Sequence, residues 1–147
     1  MDRTNKLSRF LEAQNHSYLK ALSEIRSGHK ESHWMWYIFP QLQGLGKSDT
    51  ARFYAIADLK EAEAYLSHPV LGRHLSEITE ALLAIDSKSA HEIFGSPDDL
   101  KLQSSMTLFS SLENTNPLFG KVLEKYYDGQ KDRLTVQFLN QKQDDAV

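Results

Sequence analysis

The chain has 147 residues, of which 40% are hydrophobic and 25% are charged, so its composition is that of a soluble globular protein with one core of ordinary size. The net charge of −3 does not favour a broad electrostatic interaction with nucleic acid. The absence of cysteine excludes disulfide bonds, thiolate metal ligands and cysteine nucleophiles. No run approaches the roughly 20 apolar residues of a membrane span, and the first residues lack the apolar core of a signal peptide. We therefore expect a cytoplasmic protein with no nucleic-acid or membrane partner.

The first third of the chain predicts three helices. Apolar residues at helical spacing over residues 7–25 predict a first helix, which Gly28 is placed to end. Ser32 is placed to cap a second helix, which Pro40 ends. After a glycine-containing loop, a short third helix is expected to begin at residues 48–49.

Capping patterns predict the remaining helices. Asp58 and Ser89 are each followed by a glutamate three residues later, which is the spacing of a capping box. Three prolines stand where the first residue of a helix is expected, namely Pro69, Pro97 and Pro117. The last helix is expected to bury Leu134 and Phe138. Segments of alternating polar and β-branched residues, which would predict strands, are essentially missing from the sequence. We therefore predict an all-α fold, with one compact domain of seven or eight short helices over residues 1–141 and a frayed tail over residues 142–147.

Two sequence motifs match a known pattern only in part. GLGKSD, at residues 44–49, has the end of a phosphate-binding loop, but Gln41 stands where the first glycine is required. His91 and the glutamate after it begin a zinc-peptidase pattern, but Gly95 occupies the position of the second histidine. The other histidines do not show metal-ligand spacing on one helix. We therefore expect neither a metal ion nor a cofactor.

Several polar residues fall on helix faces that are otherwise apolar. Gln14 lies inside the apolar stripe of the first helix. On the helix after Pro97, Asp98, Lys101 and Ser105 follow the inner edge at three- and four-residue spacing. A structural interpretation is that Asp98 interacts with the helix dipole, Lys101 extends to solvent and Ser105 bonds to the carbonyl one turn earlier. The alternative is the polar edge of a ligand site, which suits an anionic or polyhydroxylated group.

The segment HWMWYIF, residues 33–39, is apolar on nearly all sides. Each indole N–H of Trp34 and Trp36 needs an acceptor when it is buried. His33, beside them, can act as an acid, a base or a hydrogen-bond donor near neutral pH. The segment is therefore either part of the core or, together with Tyr37, the wall of an aromatic cavity of the kind that binds small ligands.

Four segments resemble one protein family: HWMWYIFPQLQGLG, AYLSHPVLG, IFGSPDDLKLQSSMTLF and FGKVLEKYYDG. They are similar to the bacterial domain-of-unknown-function family DUF1810, whose members are often mislabelled calpastatin. The resemblance covers most of the chain and implies a compact, all-helical, stand-alone cytosolic protein, but it implies no function. The matching positions include Gln14, His33, Gln41, Asp98, Lys101 and Ser105. The chain also shows a fold-level likeness to helical hydrolases proposed to act on ADP-ribose and riboflavin precursors.

Together these observations predict a pocket for a small polar or nucleotide-like ligand in a protein that is a monomer or a dimer. The predicted chemistry is hydrolysis of an N-glycosidic bond, with His33 or Asp98 as the acid–base group. The predicted ligand-binding residues are Gln14, Trp34, Trp36, Tyr37, Gln41, Lys101 and Ser105. The alternative is a non-enzymatic protein–protein interaction module that uses the aromatic segment on its surface.

Overall fold

The computed structural model describes residues 3–145, and it describes the side chains of residues 6–141. This part of the chain forms nine α-helices: α1 (Arg3–Arg26), α2 (Met35–Ile38), α3 (Asp49–Phe53), α4 (Leu59–Ser67), α5 (Leu71–Leu83), α6 (Ala90–Phe94), α7 (Asp98–Ser110), α8 (Leu118–Tyr127) and α9 (Arg133–Asp145). An isolated parallel bridge joins Leu42 to Ile56, and residues 3–145 contain no strand. The all-α prediction is confirmed, with one or two more helices than predicted. None of these helices is both long enough and apolar enough to cross a membrane.

Local capping explains several helix ends. α1 ends near Gly28, which adopts a φ of +78°, a conformation that glycine tolerates without steric cost. The capping box of Ser89 and Glu92 at the start of α6 is complete. At α4 only half of the predicted box forms: the Asp58 side chain accepts a hydrogen bond from the Glu61 N–H at 2.9 Å, but the Glu61 carboxylate bonds elsewhere. Short-range sequence signals therefore determine where these helices begin and end.

The second helix differs from its prediction. α2 contains only Met35–Ile38, and Ser32 does not cap it. Ser32 instead donates its hydroxyl to the Glu24 carboxylate at 2.6 Å. The capping prediction is wrong here because α1 supplies a charged acceptor, which forms a stronger hydrogen bond than a neutral group does.

The last helix and the proline-preceded helices also differ in detail. In α9, Leu134 is 51% exposed, so the prediction that it is buried is wrong; Thr135 and Leu139 are buried and Phe138 is half-buried.

The helices that follow the three predicted prolines begin at Leu71, Asp98 and Leu118, so each proline precedes its helix and none lies in its first turn. The predicted frayed tail, residues 142–147, overlaps the end of α9, and its last two residues lie outside the described part.

The core lies where α1, α5, α7 and α8 pack together and α2 and α4 close the sides. Its largest fully buried side chains are Trp34, Tyr65, Phe10, Phe39, Phe109 and Phe119. Tyr65 of α4 contacts Phe10 edge-on, with ring centroids 5.0 Å apart, and lies 5.4 Å from Phe109 of α7. These ring contacts hold α4 against α1 and α7, and they position the Tyr65 hydroxyl, which accepts a hydrogen bond from Gln14.

Candidate functional site

The aromatic segment is attached to a buried carboxylate, Glu24 of α1. The indole N–H of Trp34 donates to Glu24 Oε1 at 2.9 Å, and the backbone N–H groups of Glu31 and Ser32 donate to the same oxygen at 2.7 and 2.9 Å. Burial raises the pKa of Glu24, but the hydrogen bonds from Ser32, Glu31 and Trp34 outweigh it and lower that pKa from 4.5 to about 2. Trp34 therefore finds the acceptor that its indole needs inside the core.

A second carboxylate, at the start of α7, joins two lysines. Asp98 Oδ2 lies 2.9 Å from Lys30 Nζ, and its Oδ1 lies 3.6 Å from Lys101 Nζ. The Lys30 ammonium lies 5.1 Å from the Trp34 ring centroid, and that of Lys101 lies 5.7 Å from the Trp36 ring centroid. Asp98 and its two lysines thus link four of the predicted site residues, Trp34, Trp36, Asp98 and Lys101; Lys30 was not singled out by the sequence.

Two predicted site residues are isolated from this cluster's hydrogen bonds. Ser105 is fully buried, and its Oγ has no hydrogen-bond partner in the described part of the chain. The bond to the Lys101 carbonyl that the structural interpretation expected is therefore not formed. His33 is exposed in the irregular segment before α2.

Two further predicted residues are used by the fold. The Tyr37 hydroxyl donates to Ser17 Oγ of α1 at 2.9 Å. Gln41 is half-buried, and its backbone carbonyl accepts from the Ile56 N–H at 2.8 Å. Gln14 lines a cleft of the described surface. The catalytic and binding roles of the predicted site residues stay predictions.

Gln14 is the centre of a separate polar cluster between α1, α4 and α5. Its Nε2 donates to the Tyr37 carbonyl at 2.8 Å and to the Tyr65 hydroxyl at 2.9 Å. Its Oε1 lies 2.8 Å from Nδ1 of His74 on α5. The side chain is 3% exposed, as its place in the apolar stripe predicted. The sequence analysis did not identify His74 as a site residue. The only indication was indirect: a buried glutamine needs a hydrogen-bond donor for its amide oxygen as well as an acceptor for its NH₂ group.

The orientation of Gln14 determines the tautomer of His74. The Tyr37 carbonyl carries no hydrogen and only accepts, so Gln14 must present its NH₂ group there. The amide oxygen then faces His74, whose Nδ1 must carry a proton in order to donate to it. In the neutral ring this leaves Nε2 unprotonated, as an acceptor or base. Nε2 has no hydrogen-bond partner among the described residues, and it is not buried, so solvent can reach it.

The surroundings of His74 favour this neutral form. The ring stacks on Tyr18, with centroids 3.6 Å apart and planes at 7°, and the Tyr18 hydroxyl donates to the Glu77 carboxylate. Burial lowers the pKa of His74, and the charge of Arg73 lowers it further, although Glu77 opposes this change. These surroundings favour the neutral, oriented imidazole, whose unprotonated Nε2 can accept a hydrogen bond.

His74 lines an open cleft of about 570 Å³ between α1 and α5. On α1 the cleft is lined by Gln14, Tyr18 and Leu19, and on α5 by Arg73, His74 and Glu77. Arg73 is exposed and forms no ion pair with any residue in the described range. The cleft therefore combines an apolar side chain, an unpaired cation and an oriented histidine nitrogen, which are the elements of a small-molecule site.

A serine, a histidine and an aspartate also meet at the start of α7, but their hydrogen bonds are those of a helix end. Ser96 Oγ donates to Asp99 Oδ1 at 3.0 Å and lies 3.1 Å from His91 Nδ1. Because the single hydroxyl proton is directed to the carboxylate, His91 is not placed to remove it. In the described residues no three potential metal ligands among histidine, aspartate and glutamate converge on one point.

Comparison with known proteins places this chain in a family. The family described as "Protein of unknown function (DUF1810)" matches residues 4–139. The crystal structure of the conserved hypothetical protein Rv1873 from Mycobacterium tuberculosis is similar, with a TM-score of 0.90 and 49% identity over 91% of this chain and 96% of that chain. The comparison with curated proteins gave no match. The resemblance seen in the sequence is thus confirmed over nearly the whole chain: the protein belongs to the DUF1810 family.

Proposed function

We propose that the protein binds a small polar ligand in the cleft between α1 and α5, in contact with His74. The hydrogen bond between Gln14 Oε1 and His74 Nδ1 carries this proposal, since it fixes the tautomer and leaves Nε2 accessible to a ligand. Holding one ring nitrogen while the other remains free is how proteins orient histidines that bind metals or transfer protons. The role of the Gln14 cluster is then to hold the His74 ring so that its Nε2 faces the cleft as a hydrogen-bond acceptor.

This proposal keeps the ligand class that the sequence predicted, but it changes the position of the site. Gln14 belongs to both the predicted and the proposed site. By contrast, Trp34 is 1% exposed, and both carboxylate oxygens of Asp98 already lie near lysine ammonium groups. Hydrolysis of an N-glycosidic bond by His33 or Asp98 stays a prediction.

The alternative function, a protein–protein interaction module, depends on exposure of the aromatic segment. Trp34 is buried and Trp36 is half-buried. A surface that binds another protein through large aromatic side chains presents those side chains to solvent before binding. The placement of the two tryptophans therefore gives this alternative no support.

The test is a ligand screen that observes the cleft directly. We expect nuclear magnetic resonance signals of the His74 and Tyr18 rings to shift in a saturable way on titration with members of a library of nucleotides, nucleosides and sugar derivatives. His74→Phe keeps a flat ring to stack on Tyr18 but has no nitrogen, so binding should be lost. His29→Gln, which changes an exposed histidine that does not line this cleft, is the matched control and should bind as the parent does. Ligand binding that is equally tight in His74→Phe would contradict the proposal.

A further inference from the structure

The proton arrangement of His74 restricts what a ligand must present. With Nδ1 donating to Gln14, the neutral ring offers the cleft only the lone pair of Nε2. A group that bonds to this atom must itself be a donor, such as a hydroxyl or an N–H. A carbonyl or an ionised carboxylate at this point would leave both acceptors without a hydrogen, which is unfavourable.

The charge of Arg73 adds a second requirement. Arg73 precedes His74 in α5, lines the same cleft and has no carboxylate partner within the described chain. A guanidinium group has planar donors that match the oxygens of a phosphate or a carboxylate. The part of the cleft near Arg73 therefore suits an anionic group.

Glu77, which lines the same cleft, carries the opposite charge. Glu77 lies one helical turn after Arg73, and its carboxylate accepts the Tyr18 hydroxyl. An anion would be repelled there, whereas a hydroxyl could donate to the carboxylate. Along α5 the order is thus a cation, a neutral acceptor at His74 and an anionic acceptor, which orients a ligand with one charged end and hydroxyl groups behind it.

Resting on the proposed function, we infer that the ligand of this cleft is a polyhydroxylated organic anion of the sugar phosphate or sugar acid class. Its anionic group binds Arg73 and one of its hydroxyls donates to His74 Nε2. Tyr18 and Leu19 provide the apolar surface against which the carbon skeleton lies. Sugar phosphates and sugar acids share these two features: an anionic group and a carbon chain that carries hydroxyl donors.

Four probes separate the parts of this inference when calorimetry and ring-signal titrations are applied to the full chain. Ribose 5-phosphate and gluconate contain both features, ribose lacks the anion, and inorganic phosphate lacks the hydroxylated skeleton. We expect ribose 5-phosphate, gluconate or both to bind saturably, and ribose and inorganic phosphate to bind at least about tenfold more weakly, the factor for one charge-assisted hydrogen bond. Which of the first two binds more tightly identifies the anion.

Substitution of the arginine tests the orientation of the ligand. Arg73→Gln should weaken binding of the preferred anion about tenfold or more and leave that of ribose unchanged. Arg133→Gln, an exposed arginine at the start of α9, is the matched control and should bind as the parent does. Melting temperatures of both variants verify that the comparison is made on folded protein.

The outcomes separate the ligand class from the proposed function. If Arg73→Gln binds the preferred anion as tightly as the parent, or if ribose binds as well as ribose 5-phosphate and gluconate, the ligand class is wrong. If His74 signals respond only to uncharged or cationic members of the wider library, the cleft remains a binding site and the inference about the anion fails. If no compound in either set moves these signals, both the inference and the proposed function fail.

Discussion

The indole N–H of Trp34 meets the carboxylate of Glu24 at 2.9 Å inside the core, although an irregular segment separates the two residues in sequence. The same carboxylate accepts the backbone N–H groups of Glu31 and Ser32, which lie outside any helix and have no repeating backbone partner. One side chain of α1 thus satisfies the turn that leads into α2 and fixes the tryptophan behind it. This arrangement makes Glu24 a structural residue whose removal has measurable consequences.

Glu24→Gln should destabilise the fold. The amide keeps the shape of the side chain, and its NH₂ group can donate to the Ser32 hydroxyl, but the charge that strengthens the hydrogen bonds from Trp34, Glu31 and Ser32 is lost. Because hydrogen bonds to a charged group contribute about 1.5–3 kcal/mol each, we expect the free energy of unfolding to fall by about 2 kcal/mol or more. Urea denaturation measures this change, and Glu12→Gln, an exposed glutamate on the same helix, should change stability by less than about 0.5 kcal/mol. A Glu24→Gln variant as stable as the parent would show that the cluster contributes nothing to folding.

Acid should destabilise the parent more steeply than Glu24→Gln. The pKa of Glu24 falls from 4.5 in the unfolded chain to about 2 in the fold, so its stabilising contribution is fully present above pH 4.5. As the pH decreases from 4.5 toward 2, the unfolded state binds a proton before the folded state does, and this contribution is lost. Urea unfolding at several pH values in that range gives the slope for each protein. Equal slopes would mean that Glu24 is not the carboxylate responsible.

Ser105→Ala should leave stability unchanged or increase it. The Ser105 hydroxyl is fully buried and has no hydrogen-bond partner among the described residues, so its removal ends a desolvation cost and loses none of the hydrogen bonds seen there. Thr107→Val is the comparison on the same helix, since Thr107 Oγ1 donates to the Gln103 carbonyl and accepts the Asp132 N–H at 2.8 Å each. That variant should lose about 1–3 kcal/mol because a backbone donor is left unpaired. Thermal melting distinguishes the two, and a clear loss of stability in Ser105→Ala would reveal a partner for its hydroxyl.

Asp98→Asn should destabilise the fold more than Lys101→Met. The side chain of Lys30 is only 7% exposed, so removal of the Asp98 charge leaves its ammonium with the Ser32 carbonyl and the Trp34 ring but without a countercharge, at a cost on the order of 3 kcal/mol. Lys101 is more exposed and lies 3.6 Å from Asp98, so its loss should cost less than about 1 kcal/mol. Replacing both members of the buried pair, in Lys30→Met with Asp98→Asn, should recover much of the stability. Chemical denaturation of the three variants measures this, and no recovery in the double variant would contradict a role for the unpaired lysine.

The sequence by itself determined the helical character of the chain and many of its helix ends. Gly28 and the pair of Ser89 and Glu92 act through backbone groups only a few residues away, so their effects can be read locally. The burial of Gln14 also followed from the sequence, because its place in a stripe of helical period decides which face it occupies. Capping and helical periodicity act within a single helix, so they do not depend on how the helices pack against one another.

Only the tertiary structure decided which partners these polar groups found. Gln14 bonds to His74, which lies 60 positions further along the chain, and Trp34 bonds to Glu24 on another helix. Helical periodicity gives the direction of a side chain relative to its own axis, but it does not give the neighbour that lies in that direction. The neighbour depends on how α1, α2 and α5 pack, which the burial of the whole core determines. For this reason the sequence indicated a buried amide, and the fold alone showed that the amide holds a histidine at the edge of a cleft.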